Sequence, residues 1–315
     1  MINKIKNELS KVVIGHHDLI DAMLVALFSG GHILIEGPPG VAKTTTVNAL
    51  TKCFGFEFKR VQFTPDLLPL DIIGNEILDI KSGDFKIKHG AIFTNFLLAD
   101  ELNRAAPKVQ SALLEAMAEK QVTIGENSFK LKEPFMVLAT QNPYEQEGTY
   151  ILPEAILDRF MFKVDLSYNN FDEELEIIES VANKKSQKIE QVASKEDYFK
   201  TLEQIDSIFI DKPLKEYLLK LVFATREPNS YNLPELQEYI INGASPRASI
   251  DLYKASKAFA FINGRDFVTP FDITKSSYLV LAHRLKLSYK AKIDNINQKD
   301  IIKTILEKIK VPWKE

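Results

Sequence analysis

The sequence predicts an α/β domain followed by an all-helical domain. Short apolar runs typical of buried parallel strands recur in the first half, at 33–36, 96–100 and 135–140, and polar residues follow each run. Beyond residue 200, apolar residues instead recur at the spacing of amphipathic helices. A length of 315 residues, with 45% hydrophobic and 26% charged residues, suits about two globular domains.

The composition limits the compartment and the partners. The formal net charge of −3 gives no reason to expect nucleic acid as a partner. The single cysteine, Cys53, cannot form an internal disulfide, which is typical of a reducing cytoplasm. No apolar run approaches the ~20 residues of a membrane span, and the N-terminus lacks the pattern of a signal peptide. We therefore expect a cytoplasmic protein without a transmembrane segment.

The first predicted strand leads into a glycine-containing turn. Residues 2–9 and 18–28 have the apolar spacing of two helices that precede the strand at 33–36. The turn at 37–44 ends in Lys-Thr, and a helix is predicted over 45–54. Strand, glycine turn, Lys-Thr and helix in this order are the parts of a phosphate-binding loop. Such a loop attracts anions because the N–H groups and the dipole of the helix N-terminus point at them.

The side chains of this turn have separate predicted tasks. Gly37 and Gly40 let the chain bend tightly around phosphates. Lys43 reaches the outer phosphate oxygens, and Thr44 offers a hydroxyl group to Mg²⁺. The strict motif has glycine before the lysine, whereas this chain has Ala42. We predict a negative φ at Ala42, where a Cβ atom causes no strain. An ordinary strand-to-helix turn is the alternative interpretation.

Two carboxylates follow the strand predicted at 96–100. In proteins with a phosphate-binding loop, a carboxylate at the end of a later buried strand holds Mg²⁺. We therefore expect Asp100 to hold Mg²⁺ and Glu101 to orient and deprotonate the attacking water. The alternative is a surface acidic pair at a strand end, which the phosphate loop disfavours.

A single amide follows the strand predicted at 135–140. The side chain of Asn142 could form hydrogen bonds with both the attacking water and the terminal phosphate. Asparagine is also common in turns, and Pro143 follows directly. From the sequence alone, both interpretations of Asn142 stay open.

Two arginines are further candidates. An arginine supplied from outside a phosphoryl-transfer site can stabilise charge on the terminal phosphate, and Arg159 is a candidate for this role. Its spacing fits a salt bridge to Asp158 or Glu154 equally well. Arg247 opens a predicted helix, and its local context alone favours an ordinary exposed arginine.

The remaining elements follow from periodicity and turn residues. Two further strands are predicted at 58–63 and 160–166, and two hairpins at 76–88, with its tip at 81–84, and 121–131. The charged stretch 172–200 is predicted to be helical. Later helices are predicted at 201–205, 213–224, 234–240, 246–263, 270–285 and 299–309.

Taken together, these motifs resemble those of the AAA+ ATPases, most closely the MoxR-type branch. The resemblance covers nearly the whole chain. Residues 37–44 look like the branch's Walker A motif, in which alanine before lysine is familiar, and 97–105 like its Walker B motif. Residues 139–143 resemble sensor 1, 157–160 the arginine-finger segment and 243–248 sensor 2. The two hairpins resemble the helix-2 insert and the pre-sensor-1 insert.

The resemblance implies a P-loop NTPase fold of the AAA+ type. Its core would be an αβα sandwich with a parallel five-stranded sheet, followed by a C-terminal all-helical lid. We expect the core at 1–185 and the lid at 186–315.

The resemblance also implies a site for ATP or ADP with Mg²⁺. The predicted nucleotide-binding residues are Ile14, Gly15, Gly37, Pro38, Pro39, Gly40, Val41, Ala42, Lys43, Thr44 and Thr45. Ile14 and Gly15 would lie near the adenine, while Thr44 and Asp100 would hold Mg²⁺, the latter through water. The predicted catalytic residues are Glu101, Asn142, Arg159 and Arg247. Arg159 would act in the site of a neighbouring subunit, and Arg247 would contact the γ-phosphate.

The implied function is ATP-driven, chaperone-like remodelling or maturation of a protein client. An arginine that acts in a neighbouring subunit requires a homo-oligomer, and the family's hexameric ring is our expectation. Arg104 would then face the subunit boundary. A protein with a von Willebrand factor A domain is the expected type of partner. The alternatives are a motor that moves nucleic acid, which the charge of −3 disfavours, and an ATP-gated scaffold with little turnover.

Overall fold

The computed structural model describes residues 1–80, 83–143, 148–182 and 188–312. The elements of its first part, in chain order, are α1 (Ile2–Leu9), α2 (His17–Ser29), β1 (Ile33–Glu36), α3 (Lys43–Phe54), β2 (Phe58–Gln62), α4 (Pro69–Ile73), β3 (Gly74–Leu78), β4 (Phe85–His89), β5 (Phe96–Asp100), α5 (Pro107–Glu119), β6 (Gln121–Ile124), β7 (Asn127–Lys130), β8 (Met136–Gln141), α6 (Glu154–Leu157), β9 (Phe162–Asp165) and α7 (Phe171–Ala182). The later elements are α8 (Lys195–Asp206), α9 (Lys212–Arg226), β10 (Ile240–Asn242), α10 (Pro246–Ile262), α11 (Pro270–Leu281), β11 (Lys286–Leu287), α12 (Tyr289–Ile293) and α13 (Gln298–Lys308).

A five-stranded sheet with the order β2-β5-β8-β1-β9 forms the centre of the α/β part. The pairs β2–β5, β5–β8 and β8–β1 run parallel. The interiors of β1, β5 and β8 are almost wholly apolar and fully buried, because helices cover both faces of such a sheet. The predicted parallel five-stranded fold is confirmed. Since parallel strands end at one edge, the residues after β1, β5 and β8 share that edge.

Both predicted hairpins are present. Strands β3 and β4 pair antiparallel, with Leu78 opposite Phe85, and β6 pairs antiparallel with β7. Residues 81 and 82 of the first predicted tip lie outside the described residues.

The chain divides into two compact units. The first contains residues 1–23, 32–159 and 164–198, and the second contains residues 24–31, 160–163 and 199–315. The predicted boundary between residues 185 and 186 falls outside the described residues and stays a prediction.

The second unit is built mainly of helices but includes one short strand pair. Helices α10 and α11 pack against each other there. The helix predicted at 234–240 is wrong: Pro234–Leu236 forms a single 3₁₀ turn, and the following Ile240–Asn242 is strand β10. Two β-branched residues, Ile240 and Ile241, favour extended backbone, and β11 supplies a distant antiparallel partner. Among the described helices, none combines the length and the apolarity required to cross a membrane.

His32, the residue before β1, contacts two other elements of the first unit. The backbone N–H of Val137 on β8 donates to its Nδ1 at 2.9 Å, and Nε2 lies 3.4 Å from the carbonyl oxygen of Met117 on α5. Burial lowers the pKa of His32 to about 4. Because Nδ1 accepts a hydrogen bond, the neutral ring carries its proton on Nε2 and donates it to Met117.

We expect His32 to make stability depend on pH in the acidic range. The unfolded chain binds a proton near the ordinary histidine pKa of about 6.5, whereas folded His32 resists protonation down to a pKa of about 4. Its contribution is therefore complete above the unfolded pKa, and roughly 3 kcal/mol is lost as the pH falls between those two values. Chemical denaturation of the wild type and of His32→Gln checks this. Between these two pKa values, the free energy of unfolding of His32→Gln should fall less than that of the wild type. An equal fall in both proteins would contradict the role given to His32.

Candidate functional site

The turn after β1 forms a tight loop at the N-terminus of α3. Gly37 lies so close to the segment after β9 that an added Cβ atom would approach Leu166 to 2.9 Å. Gly40 has a φ of +86° with open space around it, so backbone conformation alone favours glycine there. The loop therefore requires glycine at these positions for two different reasons: close packing at the first and backbone conformation at the second.

The prediction of a negative φ at Ala42 is wrong. Ala42 is the N-cap of α3 and adopts the left-handed conformation, with a φ of 53° and a ψ of 19°. A left-handed residue in such a loop allows successive N–H groups to point to one side, which creates an anion-binding concavity. Alanine bears a steric cost of about 1 kcal/mol in this conformation. The hydroxyl group of Thr46 donates to the Ala42 carbonyl at 2.9 Å and helps to hold this geometry.

Lys43 begins α3 and folds back over the loop. Its Nζ donates to the carbonyl oxygen of Gly37 at 3.0 Å. Burial lowers the pKa of Lys43, and the nearby carboxylates of Asp100 and Glu101 oppose this effect. The ammonium group is thus held between the loop backbone and two anions, where an incoming phosphate could replace the carbonyl as its partner.

The carboxylates after β5 are fixed by β8 and β2. The hydroxyl group of Thr140 donates to Oδ1 of Asp100, and Arg60 Nη2 donates to Oδ2 at 2.6 Å. The backbone N–H of Glu101 donates to the same Thr140 hydroxyl oxygen at 2.9 Å. Nε of Arg104 lies 3.0 Å from Oε2 of Glu101. The side chain of Asp100 is therefore held by a hydroxyl group and a guanidinium, whereas Glu101 is held through its backbone and its carboxylate has Arg104 as a cationic neighbour.

Glu101 has an uncommon backbone conformation. Its φ of 56° and ψ of 49° lie in the left-handed region. Such strain persists only where surrounding contacts enforce it, and it is concentrated at functional sites. The hydrogen bond to Thr140 is one such contact. The side chain of Glu101 remains 28% exposed, so solvent can reach the carboxylate.

The loop and the carboxylates line one cavity of about 380 Å³. This volume lies in the usual range for small-molecule sites. The lining residues are Pro39, Gly40, Val41, Ala42, Lys43, Thr44, Thr45, Arg60, Gln62, Asp100, Glu101, Thr140 and Asn142. The predicted residues Gly37, Pro38, Ile14, Gly15, Arg159 and Arg247 are not among them. Asp100 and Glu101 therefore line the same cavity as the loop, as a magnesium and phosphate site would require.

Family models and a relative of high identity show the family of this chain. The model of the ATPase family associated with various cellular activities (AAA) matches residues 32–162, and the AAA lid domain model matches residues 236–305. Chaperone MoxR1 from Mycobacterium tuberculosis is 43% identical over 97% of this chain and 81% of its own length. The chain belongs to the MoxR family of AAA ATPases. As a member of this family, the protein is an ATPase.

Two further proteins are similar to this MoxR-family chain over nearly its full length. The uncharacterized protein YeaC from Bacillus subtilis is 42% identical over 99% of this chain and 95% of its own. A crystal structure of a candidate ATPase from Cytophaga hutchinsonii has a TM-score of 0.93 and 47% identity, and covers 99% of this chain and 96% of that one. The fold described above is thus the fold of a solved relative.

Sequence reasoning missed three residues of this MoxR-family cavity. Arg60 and Gln62 lie on one face at the C-terminal end of β2, because strand side chains alternate. The sequence could have indicated this, because it places two polar side chains on one face of β2 near the sheet edge at which the cavity lies. Thr140 lies in the apolar run of β8, where a threonine is readily explained by its preference for β-strands alone.

A second cavity of about 630 Å³ also lies beside the first turn of α3. Thr44 and Thr45 line both cavities, and Val12 and Lys188 also line the second. The predicted adenine contacts are close in sequence to Val12 but line neither cavity. The side-chain amide of Asn169 donates to the carbonyl oxygen of Ile14 at 3.0 Å, and Gly15 has a φ of +70°. This turn is therefore held by the segment that leads to α7.

The predicted arginines occupy different settings. Arg159 Nη1 donates to the carbonyl oxygen of Ala155 at 3.3 Å, while its Nε is buried without a partner among the described residues. Arg247 lies in the second unit and is exposed in the first turn of α10. Its backbone N–H donates to the hydroxyl group of Ser245 at 3.2 Å. An arginine with an unpartnered buried Nε retains hydrogen-bonding capacity for another group.

We expect Thr140→Val to lower the free energy of unfolding by about 1–3 kcal/mol, because it leaves the Glu101 N–H without its acceptor. Valine keeps the shape but removes the hydroxyl group that joins both acidic residues. Denaturant unfolding of Thr140→Val and Thr140→Ser measures this, since serine retains the hydroxyl. Equal stabilities of the two variants would show that the hydroxyl contributes nothing.

Proposed function

We propose that this chain hydrolyses ATP with Mg²⁺ and uses the energy to remodel or mature protein partners. One observation carries the proposal: Lys43, Thr44, Asp100 and Glu101 line a single cavity. A helix N-terminus, an ammonium group, a hydroxyl and two carboxylates are the groups that bind a triphosphate and its metal. The name of the relative Chaperone MoxR1 supports remodelling as the use of that energy.

In this proposal each residue has one task. The loop from Gly37 to Lys43 binds the phosphates, while Thr44 and Asp100 hold Mg²⁺. Carboxylate and hydroxyl oxygens are the ligands that this hard cation prefers. Glu101 activates the attacking water.

The remaining tasks concern positioning and the terminal phosphate. Asn142 orients the attacking water and contacts the terminal phosphate. Arg247 contacts the γ-phosphate from a lid formed by residues 186–315, and Ile14 and Gly15 lie near the adenine. Arg159 supplies positive charge to a neighbouring subunit, with Arg104 at the same boundary. This last task requires a homo-oligomer, for which we propose a hexameric ring.

The exposed hairpin β3–β4 supports a role in binding a client. Leu78 and Phe85 lie opposite each other across the hairpin, and they are 50% and 67% exposed. An exposed apolar pair is typical of surfaces that contact other proteins. We propose that this pair contacts the client, with a von Willebrand factor A-domain protein as the type of partner. The single cysteine favours the cytoplasm as the compartment.

Capture in the native host tests the proposal. A Glu101→Gln chain should bind ATP without turning it over, form a closed oligomer and retain its client through purification. Adding Phe85→Ser to the same chain serves as the matched control and should reduce the retained client without changing ATP binding. A chain that stays monomeric with ATP, or that retains the same proteins with and without ATP, would contradict the proposal. Hydrolysis of bound ATP by the wild type in a single-turnover assay would exclude the ATP-gated scaffold.

A further inference from the structure

A buried arginine of the second unit binds the backbone directly after Arg159. Arg284 ends the 3₁₀ turn that follows α11, and its side chain is only 1% exposed. Its Nη2 donates to the carbonyl oxygen of Phe160 at 3.0 Å, and its Nη1 lies 3.4 Å from that of Met161. These two residues lie between Arg159 and the start of β9. Carbonyl groups in such an irregular segment need partners from elsewhere, and Arg284 supplies them.

The neighbouring histidine adds a third hydrogen bond to the same backbone. Nε2 of His283 lies 2.9 Å from the carbonyl oxygen of Phe160. Burial lowers the pKa of His283 well below its usual value, and the charge of Arg284 adds to this effect. The ring is therefore neutral near pH 7, and because a carbonyl oxygen only accepts, Nε2 carries the proton and donates it.

An acidic residue of α10 holds this arginine in place. Arg284 Nη2 donates to Oδ2 of Asp251 at 2.6 Å. Burial raises the pKa of the Asp251 carboxyl group, and the charges of Arg284, Lys254 and Arg247 oppose that rise. Asp251 lies four residues after Arg247, so both side chains share one face of α10. A continuous series of contacts thus leads from the helix of Arg247 to the backbone beside Arg159.

A buried ion pair is weak evidence for stability, because removing two charges from water costs about as much as their attraction returns. Buried ionic groups can instead fix one particular geometry. Here the geometry that the pair fixes is that of the segment after Arg159.

We propose that Asp251 and Arg284 are positioning residues that tie the backbone next to Arg159 to the helix that begins at Arg247. A change at the first turn of α10 would then move the arginine that serves the neighbouring subunit. This inference rests on the proposed role of Arg159 and adds the residues that position it.

Steady-state hydrolysis of Arg284→Gln tests the inference. We expect kcat to fall roughly 100-fold, as for a displaced catalytic group, while the affinity for ATP changes less than about twofold. The matched control is Arg265→Gln, which removes another ion pair of the same unit, to Asp272 at 2.6 Å. That pair contacts neither Phe160 nor Met161, so Arg265→Gln should retain kcat within about twofold.

Mixing experiments separate positioning from a merely structural loss. Lys43→Ala subunits cannot bind phosphate but keep a correctly placed Arg159. Arg284→Gln subunits keep an intact ATP site, so mixing the two should restore hydrolysis at the sites of the Arg284→Gln subunits. Arg159→Ala mixed with Lys43→Ala must behave in the same way, whereas Arg159→Ala mixed with Arg284→Gln should show no gain. Asp251→Asn repeats the test if Arg284→Gln fails to fold.

The two proposals fail in different ways. If Arg159→Ala is restored by mixing but neither Arg284→Gln nor Asp251→Asn is, the positioning inference is overturned. If Arg159→Ala itself is not restored, the proposed action of Arg159 in a neighbouring subunit fails first.

Discussion

We expect Glu101→Gln to lower ATP hydrolysis by ~10²–10⁴-fold while ATP affinity changes little. Glutamine has the same shape but cannot accept a proton from water. The left-handed backbone of Glu101 and its hydrogen bond to Thr140 do not involve the carboxylate, so both should survive the change. Steady-state phosphate release and equilibrium ATP binding measure the two quantities separately.

An exposed glutamate provides the matched control for this prediction. Glu115→Gln on α5 removes the same charge from a solvent-exposed position and should leave turnover unchanged. Turnover by Glu101→Gln at the wild-type rate would refute its role as the base. A loss of ATP binding would instead assign Glu101 to nucleotide binding.

The second large effect concerns Arg159→Ala. If Arg159 stabilises the charge that builds up on the terminal phosphate, its loss should lower kcat by ~10³–10⁵-fold. The structure leaves its Nε buried without a partner among the described residues, so the guanidinium retains hydrogen-bonding capacity. Arg159→Lys keeps the charge without the planar fork, and it should recover only part of the rate.

The proposed oligomer makes the prediction for Arg159→Ala specific. Arg159→Ala should bind ATP with the wild-type affinity, because Arg159 does not line the cavity of its own chain. Activity that rises with protein concentration in the wild type, but not in the variant, would agree with action between subunits. A variant that hydrolyses ATP at the wild-type rate would exclude this role.

Much of the fold and of the cavity could be predicted because each contributing segment can be recognised from a short stretch of sequence. Lys43 begins the helix after β1, Asp100 ends β5 and Asn142 follows β8, and parallel strands bring their carboxyl ends to one edge. Neither the strand order nor any long-range contact was needed to expect that these residues meet.

The predictions that were wrong or missing concern one backbone conformation and contacts between residues distant in the sequence. Ala42 adopts a left-handed conformation despite the local cost of a Cβ atom, and the hydrogen bond from Thr46 to its carbonyl group helps to hold that conformation. Strand β10 replaced a predicted helix because it pairs with β11, more than 40 residues later. The contact between Asp251 and Arg284 likewise spans 33 residues, and sequence periodicity does not report such pairs.

The central claim is that the cavity between α3 and the carboxylates after β5 binds the triphosphate of ATP. Calorimetric titration of the Glu101→Gln chain with ATP and Mg²⁺ tests it most directly, beside the same chain carrying Lys43→Ala or the exposed control Lys108→Ala. The account predicts saturable binding of one nucleotide per chain, strongly weakened by Lys43→Ala and unchanged by Lys108→Ala. The absence of ATP binding, or binding that Lys43→Ala leaves intact, would contradict it.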